Sequence, residues 1–441
     1  MRSLSLLLAA LLLSSTLRAQ DDDPRADRYR AWARAAEEPQ LHTMLVELAR
    51  EDDPTATAES CEEALVELEQ AFGDASSRAS DEALFLADWS VRFFDRLEYR
   101  YEEPPRPEDF PAHQTLPGAL AGKRGGRIGL ASVLLVVARR ARFDLSAALV
   151  GLTPFLRAEG NAPYNFDPAL RGQDVPDDAL VNTYAFTEEG RHGPDSIRKL
   201  TDREFVGLVL FERARSRTAA GRDAEARIDL EGTATLFPGL PAVESSLGEA
   251  ALAAGDRSAA LDHFRRAIAN GSRSLADYDR TARILSEDGR LDEALEAFRG
   301  VLAQSPGETL AWLGSASVHE AKRDWENAVR ALDEFLARSA DEGRRRDVLL
   351  WRGRLVALQQ IGRMGPDRPF DERIEALSRL EEAGSPDIVP HLLPFLDDRN
   401  FRLRWATAHA IAKIAGADAE TARRLGVDRR AWESWWAERS R

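Results

Sequence analysis

Between residues 207 and 342 the chain repeats itself every 34 residues, a period that leaves few folds open. Gly221, Gly255, Gly289 and Arg323 stand 34 apart. Five positions after each come Ala226, Ala260, Ala294 and Ala328, and seven before come Ala214, Gly248, Ala282 and Ala316. Small residues at those two places let the two helices of a hairpin approach closely. Nine after the glycine, Leu230, Phe264, Phe298 and Leu332 supply the apolar body between neighbouring hairpins. Pro238 and Pro306 end the second helix of their units, because proline cannot continue it.

This pattern of small, aromatic and proline positions resembles the tetratricopeptide repeat. Four units in register carry the resemblance, clearest in Gly255-Asp256-Arg257-Ser258-Ala259-Ala260-Leu261-Asp262-His263-Phe264 and in Gly289-Arg290-Leu291-Asp292-Glu293-Ala294-Leu295-Glu296-Ala297-Phe298. Glu244, where a bulky residue is usual, and Arg323, in place of glycine, depart from it. Each hairpin leaves an apolar face that only its neighbour covers, so stacked units make a superhelix with a concave surface. The resemblance implies that peptide or protein segments bind there; the alternative is that the repeats brace the flanking domains. First-helix residues are expected to line the groove, which nominates Glu244, Arg280, Trp312 and His319. His263 and His319 lie 56 apart with no acidic constellation, so no metal site is expected.

With 441 residues the chain can build several cores without disulfides or metals. Its single cysteine, Cys61, sits among Glu59, Glu62 and Glu63, whose carboxylates disfavour a thiolate. Met1-Arg2, the apolar run from Leu4 to Leu13 and the stretch ending at Ala19 read as a secretory signal peptide. No cysteine follows to carry a lipid, so the expected location is periplasmic or secreted. The net charge of −15 becomes −17 once Arg2 and Arg18 leave with the signal, which argues against nucleic acid as the main partner. From Arg344 onward 19 basic and 15 acidic residues leave a net +4, either a solvated surface or a partner-facing tail.

Ahead of the repeats, Glu63 to Phe72 and Glu82 to Leu97 have helical periodicity. A proline-rich stretch follows, and then Gly125-Gly126-Arg127 opens the apolar run Ile128 to Ala138, a buried helix. The stretch from Leu116 to Leu135, with Ala138-Arg139-Arg140 and Asn165-Phe166-Asp167-Pro168, resembles the transglutaminase-like superfamily in its bacterial SirB-type branch. Active members use a cysteine at the start of the central helix, a histidine, and a third polar residue that orients the imidazole. Here Arg127 takes the cysteine position and Val150 to Pro154, including Thr153, takes the place of the histidine; Asp167 matches the third position. The resemblance therefore implies a degenerate domain without acyl transfer. An enzyme reading would need another nucleophile: Cys61 near His113 or His192, or Ser132, which as a small residue in an apolar helix reads as packing.

Residues 344 to 362 form one more helix, with Val348, Leu349, Leu355, Val356, Leu358 and Ile361 available to cap the last hairpin. Beyond the break at Gly365-Pro366, the run from Ile374 to Leu380, then Ser385 to Asp398, then Arg402 to Ile411 resembles a HEAT repeat. Trp432, Trp435 and Trp436 share one helical face near the end. Packing into a core against Trp405 or its neighbours is the expectation; exposed, the stripe would suit a glycan, a membrane surface or a partner helix.

The expected fold is mainly α: an α-solenoid of repeat hairpins, preceded by a helix-rich α+β domain and followed by a helical cap. The expected division is 1–19 signal, 20–59 helical or flexible segment, 60–196 transglutaminase-like domain, 197–343 four repeats, 344–365 capping helix, and 366–441 HEAT-like repeat with the tryptophan-bearing helix. The expected function is that of an exported, non-catalytic scaffold for a protein or peptide partner. No cofactor, metal or membrane contact is expected.

Overall fold

The computed structural model describes residues 23–35, 40–76, 82–160, 162–184, 197–272, 274–383 and 386–439. The proposed signal peptide and His192 lie outside them. The protein is mainly helical and divides after Asn270 into two compact units. Among the described residues no helix is long and apolar enough to cross a membrane.

The first unit begins with α1 (Pro24–Arg34), α2 (Leu41–Ala49), α3 (Ala58–Ser76) and α4 (Glu82–Val91), which runs on into a π-helical turn, Arg92–Arg96. Next come β1 (Arg100–Tyr101), α5 (Phe110–Gln114), α6 (Leu116–Gly122), β2 (Arg124–Gly125) and the central helix α7 (Arg127–Arg140). Strands β3 (Ser146–Val150), β4 (Thr153–Ala158), β5 (Tyr164–Asp167), β6 (Gln173–Asp174) and, after α8 (Asp177–Tyr184), β7 (Arg198–Leu200) form one antiparallel sheet in the order β6-β5-β4-β3-β7. Two repeat hairpins complete the unit: α9 (Asp202–Ala219) with α10 (Asp223–Leu236), and α11 (Pro241–Ala253) with α12 (Arg257–Ala269).

Every residue of α7 from Ile128 to Ala138 is buried, which a helix without a polar stripe requires. It packs between the sheet and α6, and α5 crosses its first turn. A Cβ on Gly129 would stand 2.1 Å from the His113 carbonyl oxygen, so that crossing depends on glycine.

The core does not stop where the repeats begin. Leu208, Phe211 and Ala214 of α9, Leu230 of α10 and Leu247 of α11 belong to the same buried cluster as Leu134 of α7 and Leu156 of β4. The segment expected as helical or flexible also joins it, through Tyr29, Trp32, Leu41, Met44 and Leu45. Charges reinforce the seam. Asp229 of α10, fully buried, accepts from Arg213 Nε (3.0 Å) and Nη2 (2.7 Å) and from Arg217 Nη1 (2.7 Å). Arg213 also reaches Glu51 and Tyr29, and Arg217 reaches Asp52. Burial works against the Arg213 charge, but Asp229, Tyr29 and Asp52 outweigh it and hold the guanidinium above its ordinary value.

The second unit holds α13 (Leu275–Glu287) with α14 (Leu291–Gln304), α15 (Thr309–Ala321) with α16 (Trp325–Arg338), and α17 (Glu342–Gly362). Ala282, Ala294, Ala316 and Ala328 are wholly buried, as close helix approach demands. The turns inside the four hairpins are left-handed at Gly221, Gly255 and Gly289, and Arg323 adopts the same conformation with φ +58°. Val348 and Leu355 of α17 cap the fourth hairpin. Leu349, expected to help, is instead 54% exposed, because the helix turns the neighbouring Val348 inward.

Beyond it, α18 (Phe370–Ala383), α19 (Val389–Leu392), α20 (Phe401–Ala415), α21 (Ala419–Leu425) and α22 (Arg429–Arg439) enclose a separate core. Trp432 lies at its centre, fully buried, with Trp435 and Trp436 half-buried against it. Trp405, expected to pack against them, is 61% exposed on the outer side of α20, whose inward positions Leu403 and Ile411 fill the core.

Arg373 pairs with Asp398 near that core, both largely shielded from water. Burial raises the Asp398 carboxyl, but the hydrogen bonds from Arg373 and the Asn400 backbone more than offset this, and it lies below its ordinary value. A lowered folded pKa adds stability that is in place above about pH 4 and is lost as the pH falls through the folded value. Asp398→Asn should therefore flatten the acid limb of the urea-midpoint profile; an unchanged slope below about pH 4 would exclude the pair as its source.

Candidate functional site

Two places bear on function, and the first is where α7 begins. The helix starts at Arg127, with Gly126 as its N-cap. Asp167, the last residue of β5, is completely buried, and both its oxygens lie 2.7 Å from Arg127 Nη1. Arg127 Nη2 donates to the Tyr184 hydroxyl at 3.0 Å, and Asp167 also accepts from the Ala169 backbone. Burial works against the Arg127 charge, but Asp167 and Tyr184 outweigh it and keep the guanidinium above its ordinary value.

The fold thus brings Arg127 and Asp167 together, though 40 residues apart in sequence. Thr153 does not join them. It pairs with Val150 at the β3–β4 turn, and the register Leu156↔Phe166 carried one residue on puts Phe155 opposite Asp167. Phe155 is buried against Val150, Leu180 and Val181. The Asp167 carboxylate is occupied by a guanidinium, and the facing strand position is a phenyl ring.

The other nucleophile candidates lie elsewhere. Cys61 is buried, its thiol is raised chiefly by that burial, and its polar neighbour is Ser60. Ser132 donates to the Ile128 carbonyl within its own helix at 2.8 Å. His113 is buried with Nδ1 3.0 Å from the Asp109 carbonyl, and Nε2 has no hydrogen-bond partner, Glu102 standing 3.6 Å away. Among the described residues no cluster of three or more His, Cys, Asp and Glu could hold a metal.

The second place is in the repeats. Glu244 of α11 accepts from His263 (2.8 Å) and Arg266 (3.0 Å) of α12, the second helix of its own hairpin. Trp312 of α15 donates Nε1–H to the Pro306 carbonyl at 3.1 Å and lies under the Arg338 guanidinium of α16. His319 lies 3.0 Å from Asp324, and Arg280 is half-buried on α13. Glu244 and Trp312 therefore contact the second helix of their own hairpins, and His319 contacts Asp324, the N-cap of α16. First helices have two accessible faces, and the repeat period alone does not say which face these positions occupy.

On that second-helix side Trp312 and His319 line an open cleft of about 480 Å³. Leu295, Leu302 and Ala303 of α14 and Ala331 of α16 line it too, together with the charged Arg299, Arg330 and Glu334. Its lining is more apolar than polar, as a binding cleft requires. Sequence reasoning missed Leu302 and Ala303 because it looked for the groove on first helices alone.

The sequence profile of the tetratricopeptide repeat matches residues 246–309 and 280–343. Residues 246–343 carry tetratricopeptide repeats. The first hairpin, merged with the amino-terminal core, lies outside the matched stretch. Among solved structures, MamA is similar at 21% identity over 31% of this chain and 81% of its own, with a TM-score of 0.29. YrrB, described as a tetratricopeptide protein with an unusual peptide-binding site, is similar at 19% identity over 32% of this chain and 76% of its own, TM-score 0.29. Menin, whose crystal structure is described as revealing the binding site for the Mixed Lineage Leukemia protein, is similar at 13% identity over 88% of this chain and 97% of its own, TM-score 0.40. No curated protein matches the chain. Tetratricopeptide repeats are protein-interaction scaffolds, which is the coarse function the repeat match supports.

Proposed function

We propose that this protein is a non-catalytic scaffold that holds a peptide or protein segment in the Trp312 cleft between α14, α15 and α16. The observation that carries the reading is the cleft itself: an open, largely apolar recess between successive repeat hairpins. An apolar side chain of the partner seats against Trp312 and Leu302, and the exposed cation Arg299 favours an acidic neighbour.

The amino-terminal unit, on this proposal, is a degenerate transglutaminase-like fold. What supports this is a buried central helix starting beside the last residue of an antiparallel strand, with Arg127 and Asp167 paired where a catalytic set would stand. The carboxy-terminal helices serve as a HEAT-like cap, a reading supported by the α18 and α20 packing and the Arg373–Asp398 pair. Export rests on the sequence of residues 1–19 alone.

Removing residues 207–342 would cut into the amino-terminal core, so a point variant is the better probe. Ala303 is exposed on the cleft wall, and Ala303→Glu fills the recess with charge while leaving the helix able to form. The protein beginning at Gln20 serves as bait for an envelope extract read by mass spectrometry. A partner recovered by the native chain and depleted about tenfold or more by Ala303→Glu is expected. Equal recovery by both would reject the cleft.

A further inference from the structure

We propose that the outer face of α20 is a second docking surface, one that takes a short acidic segment of a partner polypeptide carrying aromatic or apolar side chains. The face lies apart from the Trp312 cleft and does not depend on it.

Its composition is one-sided. From Phe401 to Ala415 the helix has no acidic residue. Its inner positions, Leu403, Ala410 and Ile411, are buried in the carboxy-terminal core, whereas Phe401 and Trp405, one turn apart, are 58% and 61% exposed. His409, a further turn along and also exposed, stacks parallel to Trp405 with ring centroids 6.2 Å apart. The same core encloses Trp432 completely, so these helices can bury an indole, yet Trp405 stays in solvent. Two large rings in a row on one exposed helix face are a contact surface rather than scattered apolar exposure.

The charges around the rings say what they contact. Arg399 and Arg402 are exposed, and neither has a carboxylate partner among the described residues. Arg404 lies over the Phe401 ring, its guanidinium carbon 5.4 Å from the centroid. The nearby acids are already engaged, Asp398 with Arg373 and Asp397 with Arg429. At the far end of the helix Lys413 is paired with Glu381. Arg402 and Arg404 thus lie in the first turn and Arg399 just before it, at the positive end of the helix dipole, where cations lower stability. Incoming carboxylates would relieve that repulsion while neighbouring rings stack on Trp405 and Phe401. A long polyanion is disfavoured by the net charge of −15 on the whole chain; a short segment meets mainly the local positive field.

The test uses the full chain from Gln20 and a fluorescein-labelled peptide of about twelve residues alternating Glu and Phe, read by anisotropy, beside its Lys–Phe counterpart. Measured in the Ala303→Glu chain, whose Trp312 cleft is blocked, saturable binding of the acidic peptide is expected, weakened by added salt and reduced about tenfold or more by adding Trp405→Ala or Arg402→Glu. Both replaced residues are exposed, so circular dichroism should match the native chain. Any of these outcomes would overturn the proposal: no binding of the acidic peptide, equal binding of the Lys–Phe peptide, indifference to Trp405→Ala, or Trp405-dependent binding of oligothymidylate or phosphatidylglycerol vesicles tighter than that of the peptide.

Discussion

Arg127→Ala should cost the amino-terminal unit about 3–5 kcal/mol, because it leaves the fully buried Asp167 carboxylate without its cation. The converse change, Asp167→Ala, should cost less, since the Arg127 side chain keeps 18% exposure and can turn toward water. Replacing both partners together by Met and Leu should lose less than Arg127→Ala alone, because no orphaned charge remains. Native-state hydrogen exchange of the α7 amides reads all three. If Arg127→Ala left that protection unchanged, the pair would not be a structural lock between helix and sheet. The lock also speaks to function. Under the proposed transglutaminase-like reading, Asp167 is the residue that would orient an imidazole, and here it is paired with a guanidinium.

Asp229→Ala is the second large effect, expected near 3 kcal/mol. It removes three hydrogen bonds from two guanidiniums that are 3% exposed. Glu51 and Asp52 still face Arg213 and Arg217, which holds the loss to the lower end of the range for a broken buried pair. Because those two acids follow α2 directly, the damage should spread to α1 and α2, and limited proteolysis should release the amino-terminal helices first. Cleavage confined to the sheet would mean that the network does not bind these helices to the first hairpin.

The repeat hairpins were legible because their constraints are local and periodic. Small residues fix the helix approach, and the left-handed turn fell at Arg323 just where the period required it. The buried helix at Ile128–Ala138 was legible for a similar reason, as an apolar run with no polar stripe. What could not be read depends on contacts distant in sequence. Nothing near Arg213 announces Glu51 or Tyr29, and Tyr184 sits in polar sequence that only the fold brings to Arg127. The tryptophans show the same limit. Trp405 and Trp432 both lie on amphipathic helices, and only the packing of α20 decides that one faces solvent and the other the core. The contacts of Glu244, Trp312 and His319 were equally out of reach, because they depend on where His263, Arg338 and Asp324 fall in the fold.

We propose that the cleft between α14, α15 and α16 holds the partner. Hydrogen exchange of the full chain, compared with and without the partner recovered by the bait, tests it directly. The expected result is slowed exchange in Leu291–Gln304, Thr309–Ala321 and Trp325–Arg338, absent in Ala303→Glu. Slowed exchange confined to residues 23–200, with these three helices unaffected, would contradict the claim and return the repeats to bracing.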